Sequence, residues 1–178
     1  MKTTYYLTFN KGHDGSIGKV GGDPTIQPSE KPWPPEDDEY LAFVLELKVD
    51  EKMLPVPNAA FIQLYQPIDE GDDPLPIAVV IGAGDEGGKS KANRHPLLTS
   101  FGIDAEIKEE PDDLPAANPT LEYGKFFKSK LGGNDPWNES EGRLFLGQIS
   151  EMPVGFNFGG MTCSLYLRND GSVVAELH

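Results

Sequence analysis

Leu41-Ala42-Phe43-Val44-Leu45-Glu46-Leu47-Lys48-Val49 decides the fold class of this chain. It begins as a continuous apolar run and ends in alternation, the pattern of a strand with one end buried on both faces. After Pro55-Val56-Pro57-Asn58 a second strand is predicted at Ala60 to Tyr65, and a third, buried one at Pro76 to Ile81. The acidic stretch between them, Asp69-Glu70-Gly71-Asp72-Asp73-Pro74, reads as a solvated turn. Upstream, Tyr5 to Phe9 alternates aromatic and β-branched residues as a half-buried strand does, and stops at the turn Asn10 to Gly15. Downstream, strands are predicted at Arg143 to Ile149 and Thr162 to Leu167. Arg168-Asn169-Asp170-Gly171 then forms a hairpin turn into Ser172 to Leu177, since Asp-Gly between alternating runs is a strong hairpin signal.

The segments between these strands are less regular. Pro24, Pro28, Pro32, Pro34 and Pro35 each remove a backbone donor, so residues 24–38 read as an ordered loop or a tether. Residues 82–130 are the most heterogeneous: a Gly-rich turn, a middle broken by Pro111, Pro115 and Pro119, and a short helix expected at Leu121 to Lys130. The weakest structure is expected there. The expectation is a mainly β (α+β) single domain with few short helices.

The 178 residues carry 15 Lys+Arg against 29 Asp+Glu, a net charge of -14, with one cysteine and three histidines. With 38% hydrophobic and 10% aromatic residues the chain can bury a core. Its 20 Gly and 16 Pro make about a fifth of the chain against a usual ~12%, which favours turns and short strands over long helices. No stretch approaches the ~20 apolar residues of a membrane span, and Met1 to Phe9 lacks the apolar region of a signal peptide. Lone Cys163 can form no internal disulfide and no cysteine-rich zinc site. A soluble, cytoplasmic protein is therefore expected. Fourteen surplus negative charges repel phosphate backbones, which argues against nucleic acid as a partner; they would steer a basic protein toward the chain, or simply keep it soluble.

Two segments resemble each other: Gly18-Lys19-Val20-Gly21-Gly22-Asp23-Pro24 and Ser129-Lys130-Leu131-Gly132-Gly133-Asn134-Asp135-Pro136. Both read Lys-aliphatic-Gly-Gly followed by Pro. Downstream, Ala42 to Leu47 can be laid on Leu144 to Ile149, and Leu64-Tyr65 on Leu165-Tyr166, in the same order. A Gly pair permits positive backbone dihedrals and close approach of another strand, so one tight turn used twice is expected. The halves would span about 16–81 and 127–177, joined by an irregular segment 82–126.

On these residues the chain resembles the YwqG-like family, bacterial proteins of unassigned function that are β-rich and built from duplicated halves. The carriers are Lys19 to Pro24, Trp33-Pro34 before an acidic run, Leu41 to Leu47, Lys130 to Gly133 with Pro136-Trp137, Leu144 to Ile149 with Gln148, and Phe158-Gly159-Gly160 leading to Leu165 to Gly171. The resemblance spans most of the chain apart from roughly 82–120. It departs from the family at Glu46, where Gln is usual, and at Asn134-Asp135, which intervene before Pro136-Trp137. The resemblance implies an architecture and, the family having no established catalytic residues to carry over, no mechanism.

Among chemical motifs, Ala83-Gly84-Asp85-Glu86-Gly87-Gly88-Lys89-Ser90 fits a relaxed phosphate-binding loop with Ala in place of the first Gly. Asp85 and Glu86 would put negative charge inside the cradle, Pro96 limits a following helix to about a turn and a half, and no downstream apolar strand ends in a suitably placed Asp. A plain Gly-rich turn is expected instead. The clusters Glu36-Asp37-Asp38-Glu39, Asp69-Glu70 with Asp72-Asp73, and Glu109-Glu110 with Asp112-Asp113 match no spaced calcium loop. They read as solvated surface or as a docking face for a basic partner. His13, His95 and His178 are far apart in sequence, and Cys163 sits in a predicted strand without a nucleophile elbow, so no catalytic set, metal or cofactor is assigned.

Trp33 with Trp137, Phe43 with Phe145 and Tyr65 with Tyr166 fall at paired positions of the repeat. They read as equivalent core packing, or as an aromatic-lined groove between the halves. The leading expectation is a non-enzymatic acidic protein-binding module, in its specific form an immunity or antitoxin-like protein that neutralises a basic toxin. Its partner-binding candidates are Glu36, Asp37, Asp38, Asp69, Glu70, Asp72 and Asp73. The alternative is a small-molecule binder or enzyme using a cleft between the halves, with Glu46, Gln148, Trp33 and Trp137 as the ligand-cleft candidates.

Overall fold

The computed structural model describes all residues except 30, 34–39, 69–74, 89–92, 96–97, 113–127, 152–153, 155 and 157. Eleven strands follow in chain order: β1 (Lys2–Lys11), β2 (Gly18–Val20), β3 (Leu41–Lys48), β4 (Ala59–Pro67), β5 (Ile77–Gly82), β6 (Asn93–Arg94), β7 (Phe101–Glu110), β8 (Lys130–Gly132), β9 (Leu144–Ser150), β10 (Thr162–Leu167) and β11 (Val173–Leu177). No helix occurs among the described residues, so the few short helices expected are not seen there. The helix expected at Leu121 to Lys130 falls outside the described residues as far as 127, and Lys130 opens β8. No helix of the described residues is long and apolar enough to cross a membrane.

The strands form one sheet in the order β11-β10-β9-β8-β1-β7-β2-β3-β4-β5, with short β6 pairing in parallel to β3 and every other described pairing antiparallel. The end strands β5 and β11 lie against each other, so the sheet nearly closes on itself. One apolar cluster draws on strands all round it, including Leu7, Leu47, Ile103, Leu131, Ile149 and Leu165. Successive side chains of a strand point to opposite faces, and this cluster fills the concave one. A smaller cluster of Trp33, Leu41, Phe43, Tyr65, Val79 and Ile81 lies outside the main one. Apolar burial on both faces of β3 is why Leu41 to Leu45 is an unbroken apolar run.

A bulge carries β3 between the two faces. Phe43 pairs with Tyr65 and Leu45 with Leu64, which leaves Val44 as the extra residue. On β9, Phe145 pairs with Tyr166 and Gly147 with Leu165, which leaves Leu146 extra. Val44 and Leu146 are both buried in the main cluster. Phe43 meets Tyr65 edge-on at 5.8 Å between centroids, and Phe145 meets Tyr166 edge-on at 5.7 Å. The Gly pairs adopt positive φ, 65° and 71° at Gly21 and Gly22, 66° and 75° at Gly132 and Gly133. A Cβ on Gly21 would also lie 3.0 Å from the Thr99 carbonyl oxygen, so the turn needs glycine for both dihedral and space.

The strong local signals are met closely. The 168–171 turn closes with Arg168 N–H donating to Ser172 O at 2.8 Å, and Gly171 adopts φ 85°. The segment 82–126 is not uniformly irregular, because it contains β7, one of the two longest strands, at the middle of the sheet. The run Glu106-Ile107-Lys108-Glu109-Glu110 hides its strand character, since charged residues are poor strand formers by propensity. Tertiary pairing overrides this. β7 is matched residue for residue to β1 from Lys11↔Phe101 to Lys2↔Glu110 and is flanked by β2 on its other edge. Cross-strand contacts support the ladder, Thr3 Oγ1 donating to Glu109 Oε1 at 3.1 Å and Asn10 Nδ2 to Asp104 Oδ2 at 3.0 Å.

Candidate functional site

Glu46 lies on the β3 face opposite Leu45 and Leu47, in register with Lys19 on β2 and Gln63 on β4. It is 2% exposed. A buried carboxylate requires donors on its oxygens, and here they come from three directions. Thr25 N–H donates at 2.9 Å and Thr25 Oγ1 donates to the other oxygen, Gln63 Nε2 donates at 3.1 Å, and Lys19 Nζ lies 3.4 Å away. Gln63 also donates to Ile26 O at 2.8 Å and accepts from the Tyr65 hydroxyl at 2.9 Å. Burial and the neighbouring Glu46 carboxylate push the Tyr65 phenol well above its ordinary value. Trp33 completes the arrangement, its ring 4.9 Å from that of Tyr65. Glu46 thus ties Thr25 to the sheet, Gln63 ties Ile26 and Tyr65 packs against Trp33, which makes the described part of the proline-rich segment an ordered loop.

The second set is built differently. Gln148 on β9 is in register with Lys130 and Ser164, is fully buried, and donates to Lys128 O at 2.9 Å. Lys130 turns to β7 instead, donating to both oxygens of Glu110 at 2.8 and 2.9 Å. Tyr6 OH donates to Glu110 at 2.7 Å, and Asn134 N–H at 3.0 Å. Burial pushes the Glu110 carboxyl up. The Asn134, Lys130 and Tyr6 hydrogen bonds and the lysine charge outweigh it and hold the group below its ordinary value. Asp135 accepts from Trp137 N–H at 3.0 Å, Glu139 N–H at 2.9 Å and Ser140 Oγ at 2.5 Å. Asn134 and Asp135, which interrupt the Gly-Gly-Pro spacing, therefore both have structural work here. Half-buried Trp137 stacks on the His178 ring at 4.9 Å and 15°.

Glu46 and Gln148 sit on strands separated by β8, β1, β7 and β2, and each is held within its own network. The fold does not bring them together in one cleft. Trp33 packs in the small apolar cluster and Trp137 against His178, likewise on separate parts of the sheet. A groove of about 380 Å³ does open beside β2, lined by the 12–14 turn, Lys19 to Asp23, Ser100 and Phe101. Its rim residue Asp23 is ion-paired to Arg94, whose Nε lies at 2.8 Å.

Glu36, Asp37, Asp38, Asp69, Glu70, Asp72 and Asp73 all lie outside the described residues. Of the phosphate-loop segment, Asp85 folds back on its own turn, accepting from Gly87 N–H and Ser29 Oγ at 2.9 Å each. Gly88 N–H donates to Gln27 O. The loop is thus filled by a carboxylate and packed on residues 27–29, as a plain turn is; Lys89 and Ser90 lie outside the described residues. His13 is on the exposed groove turn, and His95 is buried, its imidazole pushed below its ordinary value by that burial. Sequence reasoning missed Glu110 and Lys130. Only the repeated Lys before Gly-Gly gave a signal, and nothing local marked Glu110 as its partner.

Cys163 is fully buried on β10, and burial pushes its thiol well above the ordinary value. Native protein is expected to leave an aromatic disulfide reagent unreduced, with one thiol released in denaturant. Rapid native reaction would contradict its burial. A scan of the chain against protein-family models finds no match, and a search of the curated proteins finds none either.

Proposed function

We propose that the chain is a non-enzymatic acidic binding module of YwqG-like architecture whose partner is a basic protein. The observation that carries this reading is the net charge of -14. Exposed carboxylates such as Asp14, Asp50, Glu51, Glu106 and Glu109 are spread over the described surface, and Glu46 and Glu110 are engaged inside the fold. Such a surface raises the encounter rate with a cationic partner and opposes anionic ones. In its specific form the module is immunity or antitoxin-like and covers a cationic active site. A reducing, cytoplasmic setting fits the lone Cys163.

The reading includes an internal duplication, with β2 to β5 answering to β8 to β11. Four likenesses support it: the Gly pairs of positive φ, the bulges at Val44 and Leu146, the Phe–Tyr pairs, and the registers Lys19↔Glu46 and Lys130↔Gln148. A second reading, a small-molecule binder, is favoured by the groove that Lys19 lines, its ammonium 3.4 Å from buried Glu46.

The test is binding of immobilised chain to a panel of basic nucleases and other basic proteins at ~50 and ~150 mM salt, between which screening shortens appreciably. Stoichiometric capture by a panel member, weakened on raising salt, is expected. No capture at low salt by any member would overturn the reading and leave the groove as the place to screen ligands.

A further inference from the structure

We propose that Glu139, Glu176 and His178 form a binding site for a divalent transition-metal ion of the zinc class. Glu176 belongs to β11, and His178 follows two residues later on the same face. Pairing with β10 continues past the end of the strand, since His178 N–H donates to Thr162 O at 3.0 Å and Thr162 N–H to His178 O at 2.9 Å. The backbone under both ligands is therefore fixed. Glu139 arrives from the turn beyond β8, where its N–H is bound by Asp135 and its carbonyl accepts from Arg143 Nη2 at 2.7 Å.

One ligand atom from each of the three side chains lies within 4.8 Å of the others. Zinc bonds of ~2.0–2.2 Å place tetrahedral ligands about 3.3–3.6 Å apart, so small side-chain rotations close the site. The imidazole is held in place by its stack on Trp137 and an edge contact with Tyr166 at 6.4 Å between centroids. The His178 side chain is 11% exposed, Nδ1 lies 4.0 Å from Glu139 Oε1, and buried Nε2 has no hydrogen-bond partner among the described residues. Nδ1, the nitrogen nearest Glu139, would therefore supply the metal–nitrogen bond.

An imidazole with two carboxylates favours zinc and similar transition ions over calcium or magnesium, which take all-oxygen sets. Three protein ligands leave a fourth position for water or another donor. Arg143 Nη1 donates to Glu176 Oε1 at 2.5 Å and so competes with the metal for that carboxylate. Bound metal would link the end strand β11 to the 135–143 turn.

The test is calorimetric titration of zinc chloride into chelator-treated protein, with thermal unfolding in parallel. One zinc per chain is expected, with a raised unfolding temperature that excess magnesium does not reproduce. Glu139→Gln alters an exposed side chain and leaves the fold intact; it and His178→Ala are each expected to weaken zinc at least tenfold, whereas Arg143→Gln does not weaken it. No saturable binding below about 1 mM zinc, or the parent's affinity retained in both Glu139→Gln and His178→Ala, would overturn the proposal.

Discussion

Lys130→Met lowers the unfolding free energy by about 3–5 kcal/mol at neutral pH, the usual cost of leaving one member of a buried ion pair uncompensated. Lys130 and Glu110 are 6% and 5% exposed, and the lysine supplies donors to both carboxylate oxygens. Without it, Tyr6 and Asn134 still donate to the carboxylate, but its charge remains buried. Glu110→Gln in the same chain removes that charge while leaving an oxygen for Tyr6, and is expected to restore most of the loss. The pair is therefore non-additive.

The dependence on pH follows from the direction of the Glu110 shift. Its native carboxyl is held below the ordinary 4.5, so the stability it contributes is fully present above that value. It is lost as the pH falls through the lowered native value. In Lys130→Met the lysine's hydrogen bonds and charge are gone while burial still raises the group, so acid relieves the variant by neutralising the carboxylate. Urea unfolding at pH 7 and at about pH 3 should show the gap between parent and variant narrowing in acid. A gap that stays constant, or a cost at pH 7 below about 1 kcal/mol, would mean that the pair is not the buried junction of β1, β7 and β8 described above.

Trp33→Ala is expected to cost about 3–5 kcal/mol, the range for emptying a buried aromatic position. Trp33 is 7% exposed and covers Tyr65, behind which lies Phe43. The substitution separates core packing from groove lining, because a residue that only lines a ligand groove can be truncated at little cost to the fold. It also loosens the loop. Thr25 N–H, bonded to Glu46, and Gly88 N–H, bonded to Gln27 O, should lose hydrogen-exchange protection before the central strands do. Unchanged stability together with unchanged exchange at these amides would remove Trp33 from the core.

Much of the fold was legible because strands advertise themselves locally. The alternation of Tyr5 to Phe9, the apolar run from Leu41 and the Asp170-Gly171 turn all act over a few residues, and their elements lie where the period and the turn chemistry put them. The alternation of β7 was obscured by charges whose favourable setting depends on a strand about a hundred residues earlier in the chain. The candidate site was legible only in part. Glu46 and Gln148 stood out as polar residues in apolar strands, and both are buried.

The sequence by itself determined the strand-rich class, the two Gly-Gly turns, the carboxy-terminal hairpin and the acidic surface, since each depends on composition or on near neighbours. Only the tertiary structure decided which strands meet. It set β1 and β7 between β8 and β2, kept Glu46 and Gln148 on separate parts of the sheet, turned Lys130 to Glu110, and gathered Glu139 with Glu176 and His178. The physical reason is that a strand's periodicity specifies which face it buries but not which partner supplies its hydrogen bonds. A charged side chain is stable inside a sheet only where a distant segment brings its counter-charge.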